Sequence, residues 1–316
     1  MLQYITKRLL WAIPLLLGIT VVSYLIISLA PGDAVDLMVN PGMTAADKEA
    51  QRHALGLDQP VYVQYFKWLG QVLQGNLGYS FLNYRPVAER IGERMLPTIL
   101  LMGTAIALAY VAAIPIGVIS ATRQYSLIDY ASTVFAFAGV SLPSFFLGLG
   151  GIYLLGLKLD LLPTGGMRTL GAPPGLGDLV YHLILPALVL SLVNMGSLVR
   201  YTRSSMLDVV RQDFVRTARS KGLAERTVIY RHALRNALIP VITLLGLQIP
   251  DLLGGAVITE QIFQWPGMGR LTIEAIAQRD YPLLMGLTML TAVLVVVGNL
   301  IADVMYCLVD PRVRHR

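Results

Sequence analysis

Two carboxylates stand in or at the end of the long apolar runs of this 316-residue chain, and a basic, glycine-punctuated segment, Asp213 to Thr243, lies between two of those runs. Asp251 lies 12 residues past Ile239, about 18 Å along a helix. An ionisable group at that depth must face a bundle interior or water. It therefore either lines a permeation path or hydrogen-bonds to a neighbouring helix or subunit. Asp303 stands near the end of the last run, placed to pair with a basic residue. Neither belongs to a repeated Asp/Glu/His series of the kind a proton relay needs. The four histidines, His53, His182, His232 and His315, show no H-x-x-x-H spacing, so no transition-metal site is indicated. His182, at the end of a run, reads as an interfacial residue. The chain lacks G-x-x-x-x-G-K-[ST] and so cannot cradle ATP phosphates by that route. No nucleophile and base have an interpretable spacing, which disfavours an intramembrane enzyme.

Composition says which elements must hold these residues. The chain is 55% hydrophobic and 14% charged, against roughly 25% charged in an average soluble domain. Five runs carry no Asp, Glu, Lys or Arg: Leu9 to Ala30, Met95 to Thr122, Tyr130 to Leu157, Leu179 to Val199 and Tyr281 to Ala302. A sixth, Asn236 to Thr259, carries only Asp251. A membrane helix needs about 20 predominantly apolar residues, so the expected fold is all-α, a polytopic membrane protein with six transmembrane helices. A closed barrel would show short alternating segments instead. The first run has 22 residues, longer than the about 7 to 15 of a signal peptide, and Leu29-Ala30-Pro31 is a poor cleavage site. It is expected to remain as a helix. One cysteine, Cys307, makes no intrachain disulfide.

Charge placement orients the spans. With both termini inside, the inner segments hold 15 basic and six acidic residues, and the remaining segments 10 basic and 13 acidic. Excess Lys and Arg marks the cytoplasmic side, so an N-in, C-in topology is expected. The basic balance then reflects topology, and no nucleic-acid partner is implied. The parts are an N-terminal span (1–30), an outer segment (31–94), a membrane domain (95–305) with an inner loop at 200–236, and an inner tail (306–316).

In the outer segment, Thr44 and Asp47 form a capping-box variant that opens a helix ending at Gly56. Gln59-Pro60 opens a second, in which Val61, Tyr65, Trp68, Leu69 and Val72 recur near helical spacing before Gly75 and Gly78 break it. These aromatics either pack the segment on the membrane surface or present a docking face. In the third run, Gly139, Ser141, Pro143, Ser144, Gly148, Gly150 and Gly151 make a small, kinkable stretch suited to close packing or to a cavity wall. The loop Lys158 to Asp178 is rich in Gly and Pro and reads as turns. Glu260 to Pro282 turns at Pro266-Gly267 and restarts as a short amphipathic helix at the outer surface, a gate, a partner contact or simple interface packing.

In the inner segment, helix-forming residues from Ser205 to Lys221 end at Gly222, whose freedom at positive φ suits a C′ position, with Arg219 and Lys221 in the last turn. Leu223 follows at C″, and a second helix runs from about Glu225 through Asn236 into the fifth span. Such a hairpin could also lie on anionic lipid. Its residues, RTARSKGL followed by VIYRHALRNALIPVIT, resemble the EAA loop of bacterial ATP-binding-cassette importer permeases, in the form of the dipeptide, oligopeptide and nickel family. The resemblance extends over the chain: LAPGD at Leu29 to Asp33, LGLDQP at Leu55 to Pro60, GNLGYS at Gly75 to Ser80, LPTGG at Leu162 to Gly166, TRSSMLDVV at Thr202 to Val210, FQWPGMGRL at Phe263 to Leu271, RDYPL at Arg279 to Leu283, and DPRVR at Asp310 to Arg314.

The resemblance implies a type I importer transmembrane domain and a role as permease subunit forming half of a translocation path for dipeptides or oligopeptides. Similar permeases serve nickel, glutathione and oligosaccharides. Arg216, Thr217 and Ala218 stand at the Glu-Ala-Ala positions, Gly222 at the glycine, and Arg235 where many members have proline. With Lys221, Leu223 and His232 they form the implied ATPase-coupling loop. The missing glutamate matches the first of the two permease types in peptide systems. Implied partners are a homologous second permease, two ATPase subunits that bind ATP and Mg, an extracytoplasmic solute-binding protein and membrane lipid; this chain carries no cofactor itself. Ser141, Asn194, Gln248 and Asp251 are the candidate path residues. The rival classes are an ion-driven secondary transporter, whose inverted repeat is not detectable, and a non-transport membrane scaffold or enzyme.

Overall fold

The computed structural model describes residues 2–29, 32, 34–37, 44–173, 175–254 and 256–309. The side chains of Asp251 and Cys307, parts of the LAPGD motif, the DPRVR motif and most of the tail lie outside the described residues. The described elements are helical: α1 (Leu2–Ser28), α2 (Ala34–Leu37), α3 (Ala45–Leu55), α4 (Val61–Leu73), α5 (Val87–Thr122), α6 (Leu127–Ser141), and α7 (Ser144–Gly151), which continues as a π-helical segment, Ile152–Lys158. Then follow α8 (Leu176–Val210), α9 (Asp213–Ser220), and α10 (Glu225–Thr227), which runs through a second π-helical segment, Val228–Ala233, into α11 (Leu234–Gly254). The chain ends with α12 (Val257–Ile262), α13 (Met268–Ala277) and α14 (Tyr281–Val309).

Among the described residues, four helices are long and apolar enough to cross a membrane: Thr6–Ser28, Val87–Thr122, Leu176–Val210 and Tyr281–Asp303. The third run is not one straight helix. Its halves, Leu127–Gly139 and Ser144–Lys158, meet at 101° and count as a fifth span only when taken together. Pro143 causes the break: a residue before proline is pushed out of the helical region, and Leu142 adopts φ −85°, ψ 128°. The sixth run supplies the 21-residue α11, a break, and then α12.

The chain divides into two compact units. One comprises residues 1–98, 253–257 and 266–297. Here the Thr44–Asp47 box forms as read, with Asp47 N–H donating to Thr44 Oγ1 at 3.2 Å and Thr44 N–H to Asp47 Oδ2 at 2.8 Å, and Gly56 closes the helix at φ +69°. Thr44 Oγ1, donating to Asp47 Oδ2 at 2.7 Å, and Thr44 N–H together hold the Asp47 carboxyl below its usual range. On α4, Tyr65 and Trp68 pack on Tyr24 of α1, with ring centres 5.5 and 6.3 Å away, and Tyr65 OH lies 3.1 Å from Thr20 Oγ1. Tyr62 and Phe66 remain exposed. The core of this unit is Val87, Ile91, Met268, Leu271, Leu283 and Leu287. The segment after Pro266-Gly267 therefore buries one face of α13 in protein, with Ile273 and Ile276 left outside, and Thr98 Oγ1 caps it by accepting from Met268 N–H at 2.8 Å.

The other unit comprises residues 99–252, 258–265 and 298–316. Helices α5 and α8 meet closely at Gly117, where a Cβ would lie 2.6 Å from Thr202 Cβ. Only glycine fits there without displacement. The loop before α8 is tied down by His182, which is buried, with Nδ1 3.1 Å from Gly165 O and Nε2 3.2 Å from Thr169 Oγ1. His182 thus pins this loop. Gly166 N–H donates to Phe263 O at 2.7 Å, which seats buried Phe263 against Leu185 and Val189.

Candidate functional site

The segment expected as one helix from Ser205 to Lys221 is two. Helix α8 ends at Val210, Gln212 turns extended at φ −76°, ψ 153°, and Asp213 opens α9. An acidic residue in a first turn is favoured by the helix dipole, which suits the restart. The fold then buries one face of α9: Val215 and Ala218, one turn apart, enter a core with Met206, Val209, Val228 and Ala233. Arg216, Thr217, Lys221, Gly222 and Arg235 are exposed, and His232 is half-buried. Within the three EAA-type positions, Ala218 therefore holds the loop down while Arg216 and Thr217 face outward.

Gly222 adopts φ +73° one residue past the helix cap, and its N–H donates to Arg219 O at 2.9 Å. Leu223, expected to supply an apolar contact at C″, is 41% exposed. Across the bend Arg219 and Glu225 form a two-point pair, Nη2 to Oε1 at 2.7 Å and Nε to Oε2 at 3.1 Å. This guanidinium holds the Glu225 carboxyl below its usual range, and the carboxylate raises Arg219. The result is a short rigid hairpin with an apolar side chain and several cations at its tip.

Beneath the hairpin sits a clasp that sequence reading passed over. Arg203 grips Asp129 with Nε to Oδ1 at 2.7 Å and Nη2 to Oδ2 at 2.9 Å, and Ser120 Oγ and Tyr125 N–H also donate to the carboxylate. Asp129 is buried. One side chain therefore ties together the end of α5, the start of α6 and the last turns of α8. The signal was present as a lone acid before one charge-free run and the second of two bases, Arg200 and Arg203, after another, but nothing local says which of them meet.

The candidate path residues fall in separate places. Ser141 borders a cavity of about 400 Å³ between α6 and α8, lined also by Ser132, Phe137, Gly196, Arg200 and Ser204. Half-buried Asn194 donates to Leu190 O at 3.1 Å, a bond inside its own helix. Gln248 Oε1 is buried with no hydrogen-bond partner among the described residues. A buried acceptor left unpaired is costly, which sets Gln248 apart from Asn194.

An all-helical membrane protein with a basic hairpin between two of its helices has the form of an importer transmembrane subunit. A chain of the inward-facing MetNI methionine ABC transporter superposes on it with a TM-score of 0.54 at 13% identity, over 70% of this chain and 96% of that one. Residues 113–315 match the family of binding-protein-dependent transport system inner membrane components, and residues 1–102 the N-terminal part of such membrane components. Similar curated proteins include the oligopeptide transport system permease protein AppB of Bacillus subtilis, 50% identical over all of both chains. The glutathione transport system permease protein GsiC of Escherichia coli O6:H1 and the dipeptide transport system permease protein DppB of Escherichia coli K12 are each 38% identical, again over all of both chains. The chain belongs to the family of binding-protein-dependent transport system inner membrane components. It is a multi-pass permease subunit of an ABC importer in a bacterial inner membrane.

Proposed function

We propose that this permease pairs with a homologous second permease, two ATPase subunits and an extracytoplasmic solute-binding protein to import short peptides. The hairpin at Gly222 is its coupling element. The observation that carries this reading is the division of α9 into a buried face, Val215 and Ala218, and an exposed one, Arg216 and Thr217, that leads to exposed Lys221 and Leu223. A segment held rigidly from below and bare above is what seats in a groove of another subunit. ATP and Mg bind the partners, whose closure moves the tip; the α9 core passes that motion to α5, α8 and α11. Peptide cargo is supported by the AppB and DppB relatives, while GsiC keeps glutathione, itself a peptide, within the same class.

Six spans with both termini in the cytoplasm complete the reading, with the broken α6–α7 pair and α11 as the third and fifth. The path runs past Gln248, with Asn194, Asp251 and Ser141 as its further candidates. The test is replacement of Gly222 by proline or valine, scoring co-purification of the ATPase subunits and solute-stimulated ATP hydrolysis. Both are expected to fall; wild-type values for both would sink the coupling role. Uptake that survived ATP depletion and collapsed with the ion gradient would instead favour a secondary transporter.

A further inference from the structure

The cavity between α6 and α8 has chemistry that peptide transport does not use. It faces a stripe of α8, Gly196, Arg200, Arg203, Ser204 and Leu207, spaced as one helical face. Gly196 supplies no side chain, and across from it Ser132, Thr133 and Ala136 of α6 are small, so about 400 Å³ stays open. Its charge is one-sided. Asp129, three residues before Ser132, is saturated by Arg203, Ser120 and Tyr125, and Asp208, next to Leu207, is exposed and does not line the cavity. Arg200 has no carboxylate partner among the described residues; its guanidinium carbon lies 6.0 Å from the centre of the Tyr201 ring. Ser132 and Thr133 donate to backbone carbonyls at 2.6 and 2.8 Å, whereas the Ser204 hydroxyl and Arg203 Nη1 have no such bond among the described residues. The wall thus offers a guanidinium, part of another and a hydroxyl, all donors.

Depth decides what comes to them. Arg200 is the first charge after the 21-residue run Leu179 to Val199, and Tyr130 opens the run after Asp129. Both helices pass from charged to apolar at this cavity. Tyr125, Tyr130 and Tyr201, all exposed, ring that level, as aromatics do at a membrane interface. From there an exposed apolar stripe, Tyr130, Val134 and Phe137, runs along α6, two turns long.

We propose that this cavity seats the phosphate of an anionic phospholipid, bound by Arg200, Ser204 and the free edge of Arg203, with an acyl chain lying on Tyr130, Val134 and Phe137. Basic pockets between membrane helices hold such headgroups elsewhere. The inference rests on the membrane placement of α6 and α8 but not on the coupling role, so either can fail alone. Ser141 stands nine residues beyond Ser132, about 13 Å along α6, out of reach of the phosphate.

The experiment uses the assembled transporter in mild detergent, stripped of lipid and then offered phosphatidylglycerol, phosphatidylcholine or inorganic phosphate, with bound lipid counted by native mass spectrometry and protection read as a shift in melting temperature. Wild type is expected to retain phosphatidylglycerol over phosphatidylcholine, and Arg200→Gln to weaken retention about fivefold, one basic residue's share of headgroup attraction. Gly196→Leu, which fills the cavity and keeps the charge, is expected to abolish it; this variant also stands in should Arg200→Gln fail to assemble. Retention of phosphatidylglycerol at wild-type level by either variant overturns the proposal. So does inorganic phosphate at millimolar concentration, if it displaces the lipid and protects the protein equally, because the site would then be a plain anion site.

Discussion

Arg219 and Glu225 face each other across Gly222 and close the bend through two hydrogen bonds, 2.7 and 3.1 Å long. Both are about half exposed, at 43% and 56% of their side-chain surface, so the pair contributes only about 0.5 kcal/mol. Its value lies in ordering the tip. Because Arg219 depresses the Glu225 carboxyl, the contribution is fully present above the ordinary glutamate range, about 4.3, and is lost as pH falls through the depressed value. A spin label at Leu223→Cys should show constant tip mobility from pH 8 to pH 6 and a rise only in stronger acid. Glu225→Gln should raise mobility across the whole range. Equal mobility in the two proteins would remove the pair's ordering role.

Gly222 can be tested separately from its surroundings. A Cβ there would meet nothing within 4 Å, so a substitution acts only through φ +73°. Left-handed backbone costs about 1 to 2 kcal/mol for residues with a Cβ, less for Asn. Solute-stimulated ATP hydrolysis should therefore fall in the order Gly, Asn, Ala, Val, with the largest step at the β-branched residue. A flat series would mean that the tip does not need this conformation.

This contrast between local and distant control also explains what could be read from sequence. Gly222, the Thr44–Asp47 box and the stop at Gly56 are each fixed by one or two neighbouring residues and formed as expected, whereas the turn read at Pro266-Gly267 falls at Phe263-Gln264, where Gln264 takes φ +49°. The break at Arg211-Gln212 was not legible, because both residues are ordinary helix formers and burial of Val215 and Ala218 sets the new helix direction. Pro143 was recognised as a kink site, but proline gives no angle, and the 101° bend came only with the structure. Tyr65 and Trp68 showed an apolar stripe without naming its partner on α1. Arg203 lies 74 residues from Asp129, and the partners of Asp280 lie 190 to 200 residues away, a distance at which pattern carries no information.

Asp129 and Arg203 should behave as a unit. Removing either alone strands its partner in a largely buried setting, at a cost of about 3 kcal/mol, the low end of the range for buried pairs because Arg203 is a third exposed. Asp129→Leu and Arg203→Met together should be much milder than the sum of the two single changes. Thermal unfolding of the purified transporter measures the cycle. Additive losses would mean that the pair holds no coupling energy and that the three helix ends are secured by the apolar core alone.

Asp280 is the counterpart of this clasp in the first unit. Fully buried, it accepts from Ser80 Oγ at 2.5 Å, Arg90 Nη1 at 3.2 Å and Phe81 N–H at 3.2 Å, and so fastens the loop before α5 to the turn between α13 and α14. Within the loop the backbone bonds are Ser80 N–H to Arg85 O, Tyr84 N–H to Ser80 O and Val87 N–H to Gly78 O, each 3.0 Å. Asp280→Ala leaves Ser80 Oγ and Phe81 N–H without this acceptor and Arg90 Nη1 with Ser80 Oγ alone, at 3.2 Å, and should cost about 3 kcal/mol. Asp280→Asn keeps an acceptor and the shape but loses the charge, and should cost less. The distinguishing measurement is hydrogen exchange over residues 79–86: with Asp280→Ala these amides should exchange at least tenfold faster while those of α3 stay unchanged. Uniform acceleration across both would mean that Asp280 supports the whole unit, and no change in either would mean that the backbone bonds suffice to hold the loop.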